Sequence, residues 1–165
     1  MTKPRQNGYA RLMATPANIN PRIVESLYYE ALILSDEVRH AFTLSGRLEA
    51  VAGDEDEATV ALSCEALRTT TRMMHSVAWL LNHRAYLNGE LSEFQLHRYG
   101  KLADFPESDP GRLALLDPDT RDLIQATERL HARLKRIDAV WREQDRGAPS
   151  AIIALRERLA RAARR

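Results

Sequence analysis

A chain of 165 residues, 44% of them hydrophobic, has material for one domain with a real core, is short for two, and is too apolar to be disordered throughout. Seven glycines and few β-branched runs argue against a β fold, no apolar run is long enough to span a bilayer, and the one cysteine, Cys64, excludes an internal disulfide framework and fits a reducing cytoplasm. The net charge of +1 is uneven: residues 1–22 carry Lys3, Arg5, Arg11 and Arg22 with no acid, residues 142–165 come to +4, and the body between is left at −7. Basic ends on an acidic body suit an acidic partner, or folding back on the body itself.

Residues 1–19 contain Pro4, Gly8 and Pro16 without sustained periodicity and read as a flexible arm with no apolar signal core. Asn20-Pro21 is a cap followed by a first-turn proline. From there Ile23, Leu27, Ala31, Leu34, Val38 and Phe42 form one apolar row, and Gly46 is read as the stop. The acidic run Ala52–Glu57 leads into the next helix and suits the positive end of its dipole.

The stretch Glu57–Asn88 reads as one helix of about 48 Å, at about 1.5 Å per residue. Val60, Cys64, Leu67, Thr71, Met74, Ala78, Leu81 and Ala85 recur at alternating spacings of four and three, and Ala66, Thr70, Met73, Val77 and Leu80 form a second row about 100° round the helix. Two apolar rows predict two packed neighbours and make this the central element of a bundle. Gly89 ends it. Ser92 and Gln95 then form a capping-box pair opening a short helix that Gly100 stops. Lys101–Leu116, with Pro106 and Pro110, reads as a long connection across the bundle's end. Asp117-Pro118 repeats the cap-then-proline signal before a third long helix with Leu123, Thr127, Leu130, Leu134, Ile137 and Trp141 in register. Gly147-Ala148-Pro149 breaks it, and Ala151–Arg165 is a short amphipathic, arginine-rich piece expected to be mobile unless a partner holds it. The expectation is an all-α, antiparallel three-helix bundle over residues 20–146, with one short extra helix, a flexible arm over 1–19 and a mobile basic tail over 147–165.

Chemistry is sparse. The pairs Glu37/His40 and Glu128/His131 have the spacing of di-metal bundle ligands, but their azimuths point away from the apolar rows and read as solvated. Cys64 and His75 fall on neighbouring azimuths yet lie about 16 Å apart along the axis, too far for a nucleophile and its base. No phosphate loop, metalloprotease, nucleophile-elbow or dinucleotide signature occurs, so no catalytic residue, metal or cofactor is expected. One constellation stands out: Arg68, Arg72, His75, Trp79 and His83 form a basic, aromatic stripe on the central helix. Arg and Trp are enriched at binding hot spots, which marks the stripe as a candidate partner-binding site. The alternative is that Trp79 packs under a neighbouring helix while arginine stems cover its edge.

The run SCEALRTTTRMMHSVAWLLNHRA (Ser63–Ala85) resembles the signature segment of the bacterial family named regulator of CtrA degradation, also catalogued as a domain of unknown function. Ile23–Phe42 is similar to that family's opening helix, and the proline-containing connection followed by Asp122–Asp138 fits its order of parts. The resemblance implies a homodimeric three-helix bundle without catalytic activity. It implies a cytoplasmic adaptor that helps deliver client proteins to the ClpXP protease, with a response-regulator co-adaptor, in cell-cycle-regulated proteolysis. The rival reading is a helical nucleic-acid-associated regulator using its basic tails, against which stand the missing aromatic interleaving and the missing helix-turn-helix.

Overall fold

The structure, a computed structural model, describes residues 19–52 and 57–147, with side chains placed for 19–43 and 57–143. The N-terminal arm before residue 19, most of the acidic run and the C-terminal piece lie outside the described residues. Five helices follow in order: α1 (Pro21–Ala52), α2 (Glu57–Leu87), α3 (Glu93–Tyr99), α4 (Pro110–Ala114) and α5 (Pro118–Gly147). No strand occurs among the described residues. Residues 20–138 form one compact unit; Ile19 and residues 139–147 are the described part of a second.

The helix boundaries follow from local chemistry. Asn20 Oδ1 accepts from the Arg22 amide at 3.0 Å, and the Asn20 carbonyl opens the α1 ladder. That helix runs through Gly46 to Ala52, past the stop read from the sequence. A glycine inside a helix costs about 1 kcal/mol but keeps its N–H donor, and Leu44, Arg47, Leu48 and Glu49 around it are good helix formers. At the end of α2 the Glu90 amide donates to the Ala85 carbonyl (2.8 Å) and the Gly89 amide to Tyr86 (3.0 Å), the paired bonds of a Schellman cap, with Gly89 at φ 77°. Ser92 and Gln95 close a full capping box on α3. Asp117 Oδ1 caps α5 by accepting from the Thr120 amide at 2.9 Å, and the Thr120 hydroxyl first, then this amide, hold its carboxyl below the ordinary range.

The all-α bundle is as expected, with one difference in direction. Arg84 meets Glu25 and Arg133 meets Glu30, so α1 is antiparallel to α2 and α5. Between α2 and α5 the pairs ascend together: Arg72 with Thr127, Ser76 with His131, Trp79 with Asp138. These two helices are therefore parallel. A parallel pair requires a crossover, and residues 88–117 supply it. Instead of crossing the bundle's end, this connection runs back along its length as a strap. Ala103 lies at His131, Asp104 pairs with Lys135, Ser108 reaches Glu128, and Leu116 joins Ala61 and Ile124 in an apolar cluster with Phe42, Leu62 and Leu113 at its edge. Asp109 caps α4, a single helical turn inside the strap that the sequence reading did not resolve.

Gly100 is the tightest of the strap's three glycines. A Cβ there would stand 2.5 Å from the Leu96 carbonyl oxygen and 2.6 Å from its side chain. Leu96 is fully buried, and the nearest atom is its backbone oxygen, which cannot swing aside as a side-chain tip can. Gly100→Ala is expected to cost about 1–3 kcal/mol, read as a lowered urea midpoint with unchanged slope.

Candidate functional site

Three sides of α2 meet three different environments. Met73 and Leu80, from the second apolar row, are buried on the side where Arg84 pairs with Glu25 of α1 and lies 4.2 Å over the Tyr28 ring. The side facing α5 and the strap is polar: Glu65, Thr69, Arg72, Ser76, Trp79 and His83 are all buried. The first row, read from the sequence as a packed face, points outward. Val60 is 55% exposed, Leu67 71%, Met74 66% and Leu81 45%. At about 100° per residue this row lies about 170° from the centre of the buried arc. The central helix has its two neighbours, but the polar stripe takes the place expected for one apolar row.

Arg72, 2% exposed, anchors the polar seam. Its guanidinium donates to Thr127 Oγ1 (3.0 Å) and to Glu128 Oε1 (3.2 Å). The same Glu128 oxygen accepts from the Ser108 amide (3.0 Å) and hydroxyl (2.8 Å), which ties the strap to the ion pair. One turn on, Ser76 Oγ sits 3.2 Å from His131 Nδ1, while His131 Nε2 lies 3.1 Å from the Ala103 carbonyl and so donates to it. Phe105 fills the strap's middle, its ring 5.1 Å from His75 and 5.5 Å from His131. At the far end Trp79 Nε1 donates to Asp138 (3.0 Å), and the His83 ring stacks on the indole at 3.7 Å. Glu128 and His131, read from the sequence as solvated, instead face this seam. Their azimuth diverges from the Leu130/Leu134 row because a second packed face, toward α2 and the strap, lies there. Glu37 and His40 are exposed.

Of the five stripe residues, the structure buries Arg72, Trp79 and His83 and leaves Arg68 partly and His75 clearly exposed. Trp79 thus occupies the setting described by the structural alternative. Only Arg68 and His75 offer surface to a partner. The large exposed residues of the first row were missed as surface because α2's buried side looked too polar to be a core side. The signal for it lay in α5, where Thr127, Glu128, His131 and Asp138 supply the complementary acceptors. Among the described residues, no three His, Cys, Asp or Glu side chains are grouped as metal ligands would be. No helix there is long and apolar enough to cross a membrane.

Burial shifts two of the seam's titratable groups. Burial pulls the Arg72 guanidinium below its ordinary value, opposed by Glu128 and then Glu65. Glu65 is fully buried, with Arg68 Nη1 3.6 Å from its carboxylate and no hydrogen-bond donor on either oxygen. Burial also pushes the His131 imidazole down from 6.5, with the Ala103 carbonyl opposing and Arg72 and His75 adding to the fall.

Removing the guanidinium strands buried acceptors, so Arg72→Ala is expected to lose about 3–5 kcal/mol of stability, measured by urea unfolding. His131 gives a pH dependence. The unfolded ring takes up its proton near 6.5 and the folded one only at lower pH. Its contribution is therefore complete above that value and declines as pH falls through it, down to the folded pKa. The loss of stability between pH 7.5 and 5.5 should be smaller in His131→Gln than in the parent, compared by urea titration at both pH values.

No curated protein and no solved structure gives a significant match to this chain. A family model does, over residues 15–163, which takes in the bundle and extends past it on both sides. Matched over nearly its whole length, the chain belongs to the family described as "Protein of unknown function (DUF1465)".

Proposed function

We propose that this protein is a non-catalytic adaptor that helps deliver client proteins to the ClpXP protease in cell-cycle-regulated proteolysis, working in the cytoplasm as a homodimer with a response-regulator co-adaptor. The observation that carries the reading is the outward apolar row of α2. The chain spends its polar residues inside and leaves Leu67 and Met74 in water, which is how a protein completed by other proteins is built. The resemblance of Ser63–Ala85 to the regulators of CtrA degradation supplies the kind of partner. Ion pairs and hydrogen bonds of the polar seam are engaged in holding helices and strap together, which supports scaffolding over turnover.

Scaffolding of this kind works by effective concentration: several weak contacts hold client beside protease without any single tight one. Arg68 and His75 remain the exposed candidates for such contacts. The test is reconstitution from purified parts. Immobilised protein should retain the ClpX unfoldase or the response regulator, and His75→Glu, at the exposed end of the pair, should reduce retention without loss of helicity. Retention of neither protein, across micromolar concentrations, would remove the adaptor reading.

A further inference from the structure

The row on α2 has a more specific pattern than its hydrophobicity. Val60, Leu67, Met74 and Leu81 recur every seven residues, and all four are large and exposed. Between them, also every seven, come Cys64, Thr71, Ala78 and Ala85, all small. In heptad terms one core position is always large and the other always small. The row is continuous over about 38 Å of helix at about 1.5 Å per residue.

We infer that this face is covered by the same face of a second copy of the chain, with the two α2 helices antiparallel and the two-fold axis passing between Thr71 and Met74. The inference rests on the dimer in the reading above and gives it a surface, a direction and a register. In a parallel pair, like positions meet. Leu67 would face Leu67 and Met74 would face Met74 of the second copy, while Thr71 and Ala78 would face their own images across gaps. Such alternation leaves voids and forfeits dispersion contacts. In an antiparallel pair, each large position meets a small one. Every layer then pairs one large side chain with one small one, and the helix axes can approach toward the near end of the usual 8–10 Å range.

The register follows from the ends. With the axis between Thr71 and Met74, the layers are Val60 with Ala85, Leu67 with Ala78, Met74 with Thr71 and Leu81 with Cys64 of the second copy, each occurring twice. All eight positions are used. A slip of one heptad in one direction sets Leu81 against Glu57; in the other it sets Val60 beyond Leu87, where the helix has ended. Ser63, Thr70 and Val77 flank the row on one side and carry no charge that would oppose a like copy. The contact is isologous and closed, so it makes dimers and not filaments.

The chain's one cysteine makes the geometry testable. In this arrangement the two Cys64 residues of a dimer lie about 25 Å apart, at about 1.5 Å per residue, and each faces Leu81 of the other copy. In a parallel arrangement they would face each other. The full-length parent, Leu81→Cys, and Leu81→Cys with Cys64→Ser are first weighed by light scattering at tens of micromolar. They are then oxidised with copper–phenanthroline, which passes the two thiol electrons to oxygen, and run on non-reducing gels. Positions 64 and 81 of one helix are about 26 Å apart, so any bond between them joins two copies. The expected result is a dimer mass for all three and a covalent dimer for Leu81→Cys alone. Leu67→Glu with Met74→Glu, both at exposed positions, should shift the species to monomer and keep the helicity. A Cys64–Cys64 dimer in the parent overturns the antiparallel direction. A dimer in solution without the Leu81→Cys cross-link overturns the register while leaving a dimer in place. A monomer overturns the interface altogether, and the retention of ClpX or the response regulator is read independently of all three.

Discussion

A guanidinium with almost no access to water has to be met by acceptors, and the region around Arg72 is arranged to supply them. Thr127 and Glu128 on α5 accept from it, and Glu128 in turn receives two hydrogen bonds from Ser108. This ion pair ties the strap to both helices and, with the Ser76–His131 and Trp79–Asp138 contacts further along, sets the axial register of α2 against α5 and their parallel direction. Polar contacts are directional where apolar ones are not. Sliding α5 by a single turn would keep much of its apolar contact yet leave Arg72, Ser76 and Trp79 all facing the wrong partners. A buried pair of this kind adds little net stability over an apolar pair of equal volume. Its effect here is to make one arrangement of three similar helices much better than the others.

That choice has a consequence on the other side of the same helix. A helix has a limited circumference. Once α1 lies against Met73 and Leu80, and α5 with the strap against the arc from Glu65 to His83, the remaining third is necessarily outside. This remaining third carries Leu67 and Met74. The polar seam and the outward apolar row are therefore not independent features of α2. The seam settles the internal packing without using the row, which leaves the row free for another chain.

The sequence read well where structure is decided locally. Asn20, Gly89, the Ser92/Gln95 pair, Gly100 and Asp117 each mark a helix end through hydrogen bonds spanning a few residues, and the helices begin and end there. It read less well where the answer depends on distant partners. Gly46 carries a stop signal, but the residues around it outweigh one glycine. The two rows of α2 show that the helix is amphipathic in more than one direction, while nothing local shows which row is inside. Hydrophobicity alone ranks the first row above the stripe. The ranking reverses because Arg72, Ser76 and Trp79 find Glu128, His131 and Asp138, more than fifty residues away in each case. The Glu128/His131 pair reads as solvated for the same reason: its azimuth departs from the Leu130/Leu134 row, while α5 has a second, polar contact face where both residues meet α2.

The strap shows how far this logic extends. Residues 101–109 form no helix, yet they are held more tightly than many loops, because each contact also satisfies part of the seam. Ala103 gives its carbonyl to His131, Ser108 gives its donors to Glu128, Leu102 is buried, and Phe105 lies against both His75 and His131. The crossover that makes α2 and α5 parallel is thus also the cover that keeps their polar seam out of water. Without it, Glu128 and His131 would be solvated, Arg72 would compete with water for its partners, and the preference for one helix arrangement would weaken. The length of the connection, which the sequence shows only as a stretch without periodicity, follows from this double duty: it must span the bundle and supply acceptors and donors at fixed heights along the way.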